Sequence, residues 1–500
     1  MKGKKKIVVA KAEREFSAID VDDGSCSLAD SIQLSIPPDP STLCSIYRVP
    51  DNLKKGYEDK YEPSIVSIGP YHLNKQNLKI TERHKLWYMR DFISRYTPPQ
   101  TSLKDIVKAV KNLEEKARAC YAEEIDLSSD DFVRMMVIDG CFILELFYRN
   151  RKTRRKEDLI YSAPWVIETV KQDLVLLENQ LPFIILVCLY QLSVKQEKRN
   201  KPYSDKKGEE EPVISLEGLN DMVFKNPSVS HPNKKGEEEP AVISLNGLND
   251  MVFDFFDMGN NMMMMTKYSS DIVFPFISPE TVEGNHLLDF LRNSIIPHEF
   301  DPKAYRTSDF PYDSFPCAKD LQEMGVKFKA SYDTLAFLDI TFEEGYLTFN
   351  HFRKGIMYSL FPNWIALEQC NCHFKGYITS YTLLLGQLVN SKDDVKFLRK
   401  TGIIVGSEVE DEKFVKEISR LCQRLKPIEF HYGELFLRLG LYTQTGCNRQ
   451  RANLHNWYVI LKRDYFSSPW AFISFIAAVV LLLLTAIQTM YAIRSYSPKV

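Results

Sequence analysis

Glycine is scarce in this chain, 21 of 500 residues, and none of it falls into a phosphate-cradling pattern. There is no GxGxxG and no GxxxxGK[ST]; GxSxG, HExxH and the kinase motif set are missing too. These absences remove the common signatures of nucleotide-binding proteins, serine hydrolases and zinc peptidases. A net charge of −2 carries no basic excess, so no nucleic-acid partner is expected. The ten cysteines are scattered through a chain too long to need disulfide staples, which fits a reducing compartment. No Asn-X-Ser/Thr acceptor occurs, since Asn226-Pro227-Ser228 is blocked by its proline. Near the start, the apolar run 7–10 is too short for a signal-peptide core, and Met1-Lys2 is not a myristoylation start.

What the chain does have is one long uncharged stretch, 470–491, reading WAFISFIAAVVLLLLTAIQTMY. At about 1.5 Å rise per residue it reaches roughly 30 Å, the thickness of a bilayer's hydrocarbon core. Eleven of its 22 residues are strongly apolar: Phe472, Ile473, Phe475, Ile476, Val479, Val480, Leu481, Leu482, Leu483, Leu484 and Ile487. At about −0.3 to −0.6 kcal/mol each they favour insertion by very roughly 3 to 7 kcal/mol. Trp470 and Tyr491 stand where an aromatic belt would place them. The competing reading is a buried core helix, but such helices rarely run this long without charge. The expectation is a single-pass membrane protein whose first partner is the lipid bilayer. The basic residues Arg451, Lys462 and Arg463 before the stretch, against Arg494 and Lys499 after it, place the body in the cytosol.

Residues 1–45 are poor in aromatics and rich in Ser, Asp and Pro, and read as disordered. Ordered structure is expected over 46–465. Leu103, Ile106, Val107, Val110, Leu113, Ala117, Cys120 and Tyr121 follow a helical stripe. Ser128 and Asp131 suit a capping box ahead of a helix over 132–148, which is apolar nearly all round and so belongs at the centre of the fold. The basic run 151–156 is a solvated loop, or else an anionic-lipid or nuclear address. Pro182 suits the first turn of a helix over 183–190. Between 193 and 267 the composition turns to Lys, Glu, Asn and Gly and the chain repeats itself. KKGEEEPVISL at 206–216 returns as KKGEEEPAVISL at 234–245, and GLNDMVF at 218–224 returns at 247–253. Two copies are too few for a solenoid, so this reads as a low-complexity insertion in an exposed loop. Helix is expected near 282–296. Strands are expected at 326–329, 337–342 and 346–349, the last two joined by a turn at 343–345. Helices follow at 364–371, 377–389, 393–400 and 411–425, with an amphipathic segment at 450–465. The fold class is mainly α, with one small antiparallel sheet or hairpin, a C-terminal transmembrane helix and a short tail at 492–500.

The segments IYRVP (46–50), YEPSIVSIGPYH (61–72), DLVLLENQLPFIIL (173–186), GVKFK (325–329), IALEQC (365–370), YITSYTLLL (377–385) and the C-terminal stretch from 463 carry a resemblance. Together the chain resembles the plant proteins grouped as domain of unknown function 247. That resemblance implies a mostly helical plant protein with a C-terminal membrane segment and no established catalytic activity. Some members of the group are tied to pollen–stigma self-incompatibility and others to defence or development, which implies signalling by contact.

Candidate chemistry rests on polar residues inside apolar helices: Asp139, Glu145, Glu178 and Glu368, with Asn179 and Gln180. A buried carboxylate costs several kcal/mol unless paired. One reading makes two of them a general acid and base. The other has them accept hydrogen bonds from helix termini, Arg48, Arg90 or the amides of Asn179 and Gln180. Cys370, Cys372 and His373, with His351 upstream, lack the second ligand pair that a zinc site needs. No catalytic residue, metal, cofactor or small-molecule substrate is therefore assigned. The reading is a non-enzymatic recognition, signalling or scaffold protein with an unidentified protein partner. The alternative is an enzyme of unrecognised class using Asp139, Glu178 and Glu368.

Overall fold

The computed structural model describes residues 44–94, 99–151, 158–199, 246–256, 284–296, 305–306, 315–331, 337–371, 373–425, 429–444 and 469–496. The N-terminal segment before them, most of the basic run, the first repeat copy, the 450–465 segment and Cys372 lie outside the described residues.

The longer helices of the first half are α1 (Lys79–Ile93), α2 (Pro99–Lys111), α3 (Ser129–Arg151), α4 (Pro164–Asp173) and α5 (Phe183–Arg199), with short helices at Asp51–Lys54, Glu114–Ala119 and Leu159–Ser162. The nearly all-apolar α3 lies at the centre, with Phe132, Met136, Phe142, Ile143, Leu144 and Phe147 fully buried. Ser128 starts it as the spacing implies, its Oγ accepting the Asp131 amide at 3.1 Å. Helices α1, α2 and α5 pack against it. At Gly140 an added Cβ would overlap Leu189 of α5, so the two helices cross closely there.

The second repeat copy departs from the expectation of an exposed loop. Its GLNDMVF part, 247–253, lies in α6 (Asn246–Phe255), which also packs on α3, while 234–245 lie outside the described residues. Leu248, Met251, Val252, Phe253 and Phe255 are all buried, and Phe255 meets Phe147 at 4.9 Å between ring centroids. The i, i+3, i+4, i+7 spacing of Leu248, Met251, Val252 and Phe255 gives this short helix a full apolar face.

Next comes α7 (Leu287–Asn293), which begins later than the apolar period alone implied because His286 caps it. The three-stranded sheet follows as β1 (Lys327–Ser331), β2 (Thr341–Glu343) and β3 (Tyr346–Asn350). Strands β2 and β3 form the expected hairpin, Phe342 facing Leu347. Its two-residue turn has Glu344 at φ 50° and Gly345 at φ 81°, the primed geometry that suits strand twist. Strand β1 joins β3 in parallel, so the sheet is mixed rather than purely antiparallel. The reason is that the chain leaves β1, buries Phe337 and Leu338, and returns through β2 on the far side of β3.

The longer helices of the rest of the body are α8 (Lys354–Cys370), α9 (Tyr377–Leu388), α10 (Lys392–Lys400), α11 (Asp411–Arg424) and α12 (Gly433–Gln444), beside a short helix at Ala318–Glu323 and two two-stranded pairings, Tyr305–Arg306 with Glu429–Phe430 and Phe352–Arg353 with Ile404–Val405. Helix α8 continues through Pro362, where a start at 364 was expected. Asn363 steadies that point by donating to both Ser359 O and Lys60 O. Helices α8, α9 and α10 pack on α11, and α7 packs on α8. The fold class is as read: mainly helical, with a small sheet and a final apolar helix, α13 (Pro469–Tyr496).

Candidate functional site

Asp139, Glu178, Asn179 and Gln180, four of the polar residues singled out in the sequence, gather where two irregular segments are buried side by side. After α4 the chain does not continue as helix; residues 174–182 run as turns and coil through the core. The segment 61–72 opposite is equally irregular. Neither segment has a helix or sheet ladder to satisfy its backbone, and buried N–H and C=O groups cannot be left bare. Side chains do the work instead. Asp173 accepts from the amides of Ser64, Ile65 and Val66 at 2.7–2.8 Å. Asn179 accepts from Ile68 N at 2.7 Å and donates to Val66 O and Asp173 O. Gln180 donates to Leu174 O and Leu176 O, both at 2.8 Å, and accepts from Leu288 N. Asn363, reaching over from α8, accepts from Leu177 N at 2.9 Å. Gly69 sits at φ 71°, and an added Cβ would lie 2.5 Å from Gln180 O, so the two segments touch backbone to backbone there.

The carboxylates complete the junction. Asp139, on α3, accepts from Lys85 Nζ at 2.7 Å and from Gly69 N at 2.8 Å. Burial holds the Asp139 carboxyl above its usual range. Burial also pulls the Lys85 amine down, but the Asp139 and Glu82 carboxylates outweigh it and leave it raised. Glu178 accepts from Val49 N at 2.9 Å and from Lys54 Nζ at 3.2 Å. His72 Nε2 stands 3.4 Å from the same carboxylate; burial pushes His72 down to about 3, so it is neutral there. Burial pushes Asp173 up to about 6, against the pull of its three amides. His286 is lowered by burial; with Nε2 donating to Ser45 O at 3.0 Å, Nδ1 accepts from Asp289 N and caps α7.

The other two carboxylates lie apart from this junction in their bonding. Glu145 pairs with Arg149 one turn along α3, at 3.0 Å, and Arg149 also holds Asp91 and Asp158. Glu368 accepts from Arg292 at 2.7 Å and from the first amides of α9, Ile378 N and Thr379 N. Of the partners foreseen, Arg48 only approaches Glu178, at 4.0 Å, and Arg90 pairs with Asp91 instead. Asn179 and Gln180 serve backbone groups, not the carboxylates. Cys370 Sγ contacts Arg48 O, and the His373 amide donates to Asn371. Among the described residues no group of three or more His, Cys, Asp or Glu is placed to hold a metal.

A second feature is the last helix. Over Ile473–Ala492 it is 20 residues long with mean hydropathy 2.3 and none of it buried, and it is the one described helix long and apolar enough to cross a membrane. Leu482 is 70% exposed and Leu481 64%. Thr485 and Thr489 donate back to the carbonyls of Leu481 and Thr485, so their hydroxyls need no outside partner.

The model of a family described as plant proteins of unknown function matches residues 46–484. The chain belongs to that family. Among its relatives in Arabidopsis thaliana, the UPF0481 protein At3g47200 is 30% identical over 473 residues, 91% of this chain and 87% of the relative. A second UPF0481 protein, At3g02645, is 22% identical over 497 residues, 89% of each. No solved structure matches the chain. The segments that carry the family resemblance supply much of the junction: Val49 comes from 46–50, Ile65 to Gly69 from 61–72, and Asp173 to Gln180 from 173–186. Glu368 and its amide donors join 365–370 to 377–385 in the same way.

Sequence reasoning missed Asp173, Lys85, Asn363, Arg292 and His286. Only Asp173 left a clear signal. An acidic residue closing a helix opposes the helix dipole and so needs another reason to be there. The buried cations Lys85 and Arg292 sit in ordinary-looking charged helices, where nothing local tells inward from outward.

Proposed function

We propose that this chain is a non-enzymatic, membrane-anchored recognition or scaffold protein acting in contact signalling. Helix α13 crosses the bilayer once, and the body beside it in the cytosol presents its surface to a protein partner. The observation that carries the reading is α13 itself: it holds no charged residue before Arg494, and among the described residues its apolar side chains stand exposed. Lipid covers such side chains at a gain, whereas water does not. The buried carboxylates support the non-enzymatic part. Asp139, Glu178 and Glu368 each accept a backbone amide and a cation, the role of a structural brace.

The test is proximity labelling in the native tissue, comparing the full chain with 470–491 fused to an unrelated soluble protein. The proposal expects a discrete set of protein neighbours with the full chain alone. Identical neighbours for both fusions would leave the body without a recognition role.

A further inference from the structure

We propose that the exposed face of α2 is a second membrane contact, a surface that lies against anionic lipid headgroups beside the anchor. The proposal rests on the membrane reading above and adds to it where the body lies. Helix α2 buries Ile106 and Val110 against the core, yet leaves Leu103 40% and Val107 39% exposed. At about 100° per residue, Leu103 and Val107 form the shoulder next to the buried face, and Lys111, Lys104 and Lys108 follow in order around the helix. Asp105 lies beyond the lysines, away from the leucine and valine. Leu103, Val107 and the three lysines, with Asn112, line a shallow open depression of about 470 Å³, and among the described residues no acidic side chain lines it. Lys111 does pair with Asp130 at 3.0 Å. Both are well exposed, so a phosphate can replace that partner at little cost.

Charge complementarity selects the occupant. Apolar side chains flanked by lysines on one face of an otherwise packed helix match an interfacial contact: the aliphatic groups enter the headgroup boundary and the ammonium groups meet anionic phosphates and carboxylates. A second copy of this chain would bring the same lysines face to face, which like-charge repulsion disfavours.

The full chain, reconstituted in vesicles of phosphatidylcholine alone or of phosphatidylcholine with phosphatidylserine, tests this by residue-resolved amine labelling. Labelling at Lys104, Lys108 and Lys111 should fall roughly fivefold or more in the anionic vesicles, recovering in high salt, while exposed Lys416 stays constant. Changing Lys104→Glu with Lys108→Glu, both on the surface, should abolish the difference at Lys111. Equal labelling in the two vesicle types would overturn the proposal. So would protection that grows with protein concentration in detergent without lipid, which assigns the face to a second copy. A chain that floats with neutral vesicles but shows no anionic protection sinks this proposal alone. Anionic protection in a chain that carbonate strips from the vesicles upholds it and sinks the anchor.

Discussion

Lys85 carries a charge and is buried completely, whereas Leu482 is apolar and 70% exposed. The two residues stand for the body and for α13, and their reversal teaches what each region is built to meet. In the body buried charges are matched: Asp139 for Lys85, Arg292 for Glu368, Arg149 for Glu145 and Asp158, and three backbone amides for Asp173. Its irregular core segments are held by side-chain amides rather than by a ladder. In α13 the backbone satisfies itself and Thr485 and Thr489 fold back on it, so the middle of the helix presents an almost wholly apolar surface. A surface of this kind suits the apolar solvent of the proposed bilayer.

The largest effect expected from disturbing this contrast lies in the body. Replacing Lys85→Ala leaves Asp139 buried without its cation and should cost about 3–5 kcal/mol in chemical denaturation. A loss below about 1 kcal/mol would show that water already reaches the pair. Phe255→Ala should cost about 3–5 kcal/mol, because it empties a fully buried site against Phe147. Deleting 206–233, by contrast, should change stability little, since closure entropy varies slowly with loop length. Equal losses from the two would mean that both repeat copies belong to the core.

In α13 the rule should invert. Leu482→Arg adds a charge without a partner at the helix centre and should cost about 2.5–3.5 kcal/mol of membrane insertion, read as the inserted fraction in a translocation assay, while leaving the body's unfolding unchanged. A smaller effect than these substitutions is expected in pH. His72 is held at about 3, so between roughly 6.5 and 3 the unfolded chain takes the proton more readily than the folded one. Its stabilising contribution is whole above about 6.5 and is lost on acidification, by about 2 kcal/mol at pH 5. Asp173, raised to about 6, acts with the opposite sign and gains stability as the pH falls through 6. The comparison is therefore wild type against His72→Asn at pH 7.5 and 5. The variant's disadvantage should shrink at pH 5; a constant gap would mean that His72 does not titrate.

Much of this was legible in the residues. The all-round apolar face of α3 located the core, the Glu-Glu-Gly turn located the hairpin, and Glu178-Asn179-Gln180 stood out as polar groups in an apolar run. What the residues hid was partnership over long separations. Lys85 and Asp139 lie 54 positions apart, and Leu177 and Asn363 lie 186 apart, so no local pattern joins them. The helix at 246–255 was hidden differently. Its apolar spacing is plain, but its place in a repeat with a charged head drew the reading toward a loop.

The proposed anchor is tested most directly by alkaline carbonate extraction of membranes carrying the intact chain, beside a chain lacking 470–491. The account predicts that the intact chain stays with the membrane pellet and the shortened one moves to the supernatant. Release of the intact chain by carbonate, or retention of the shortened one, would contradict it.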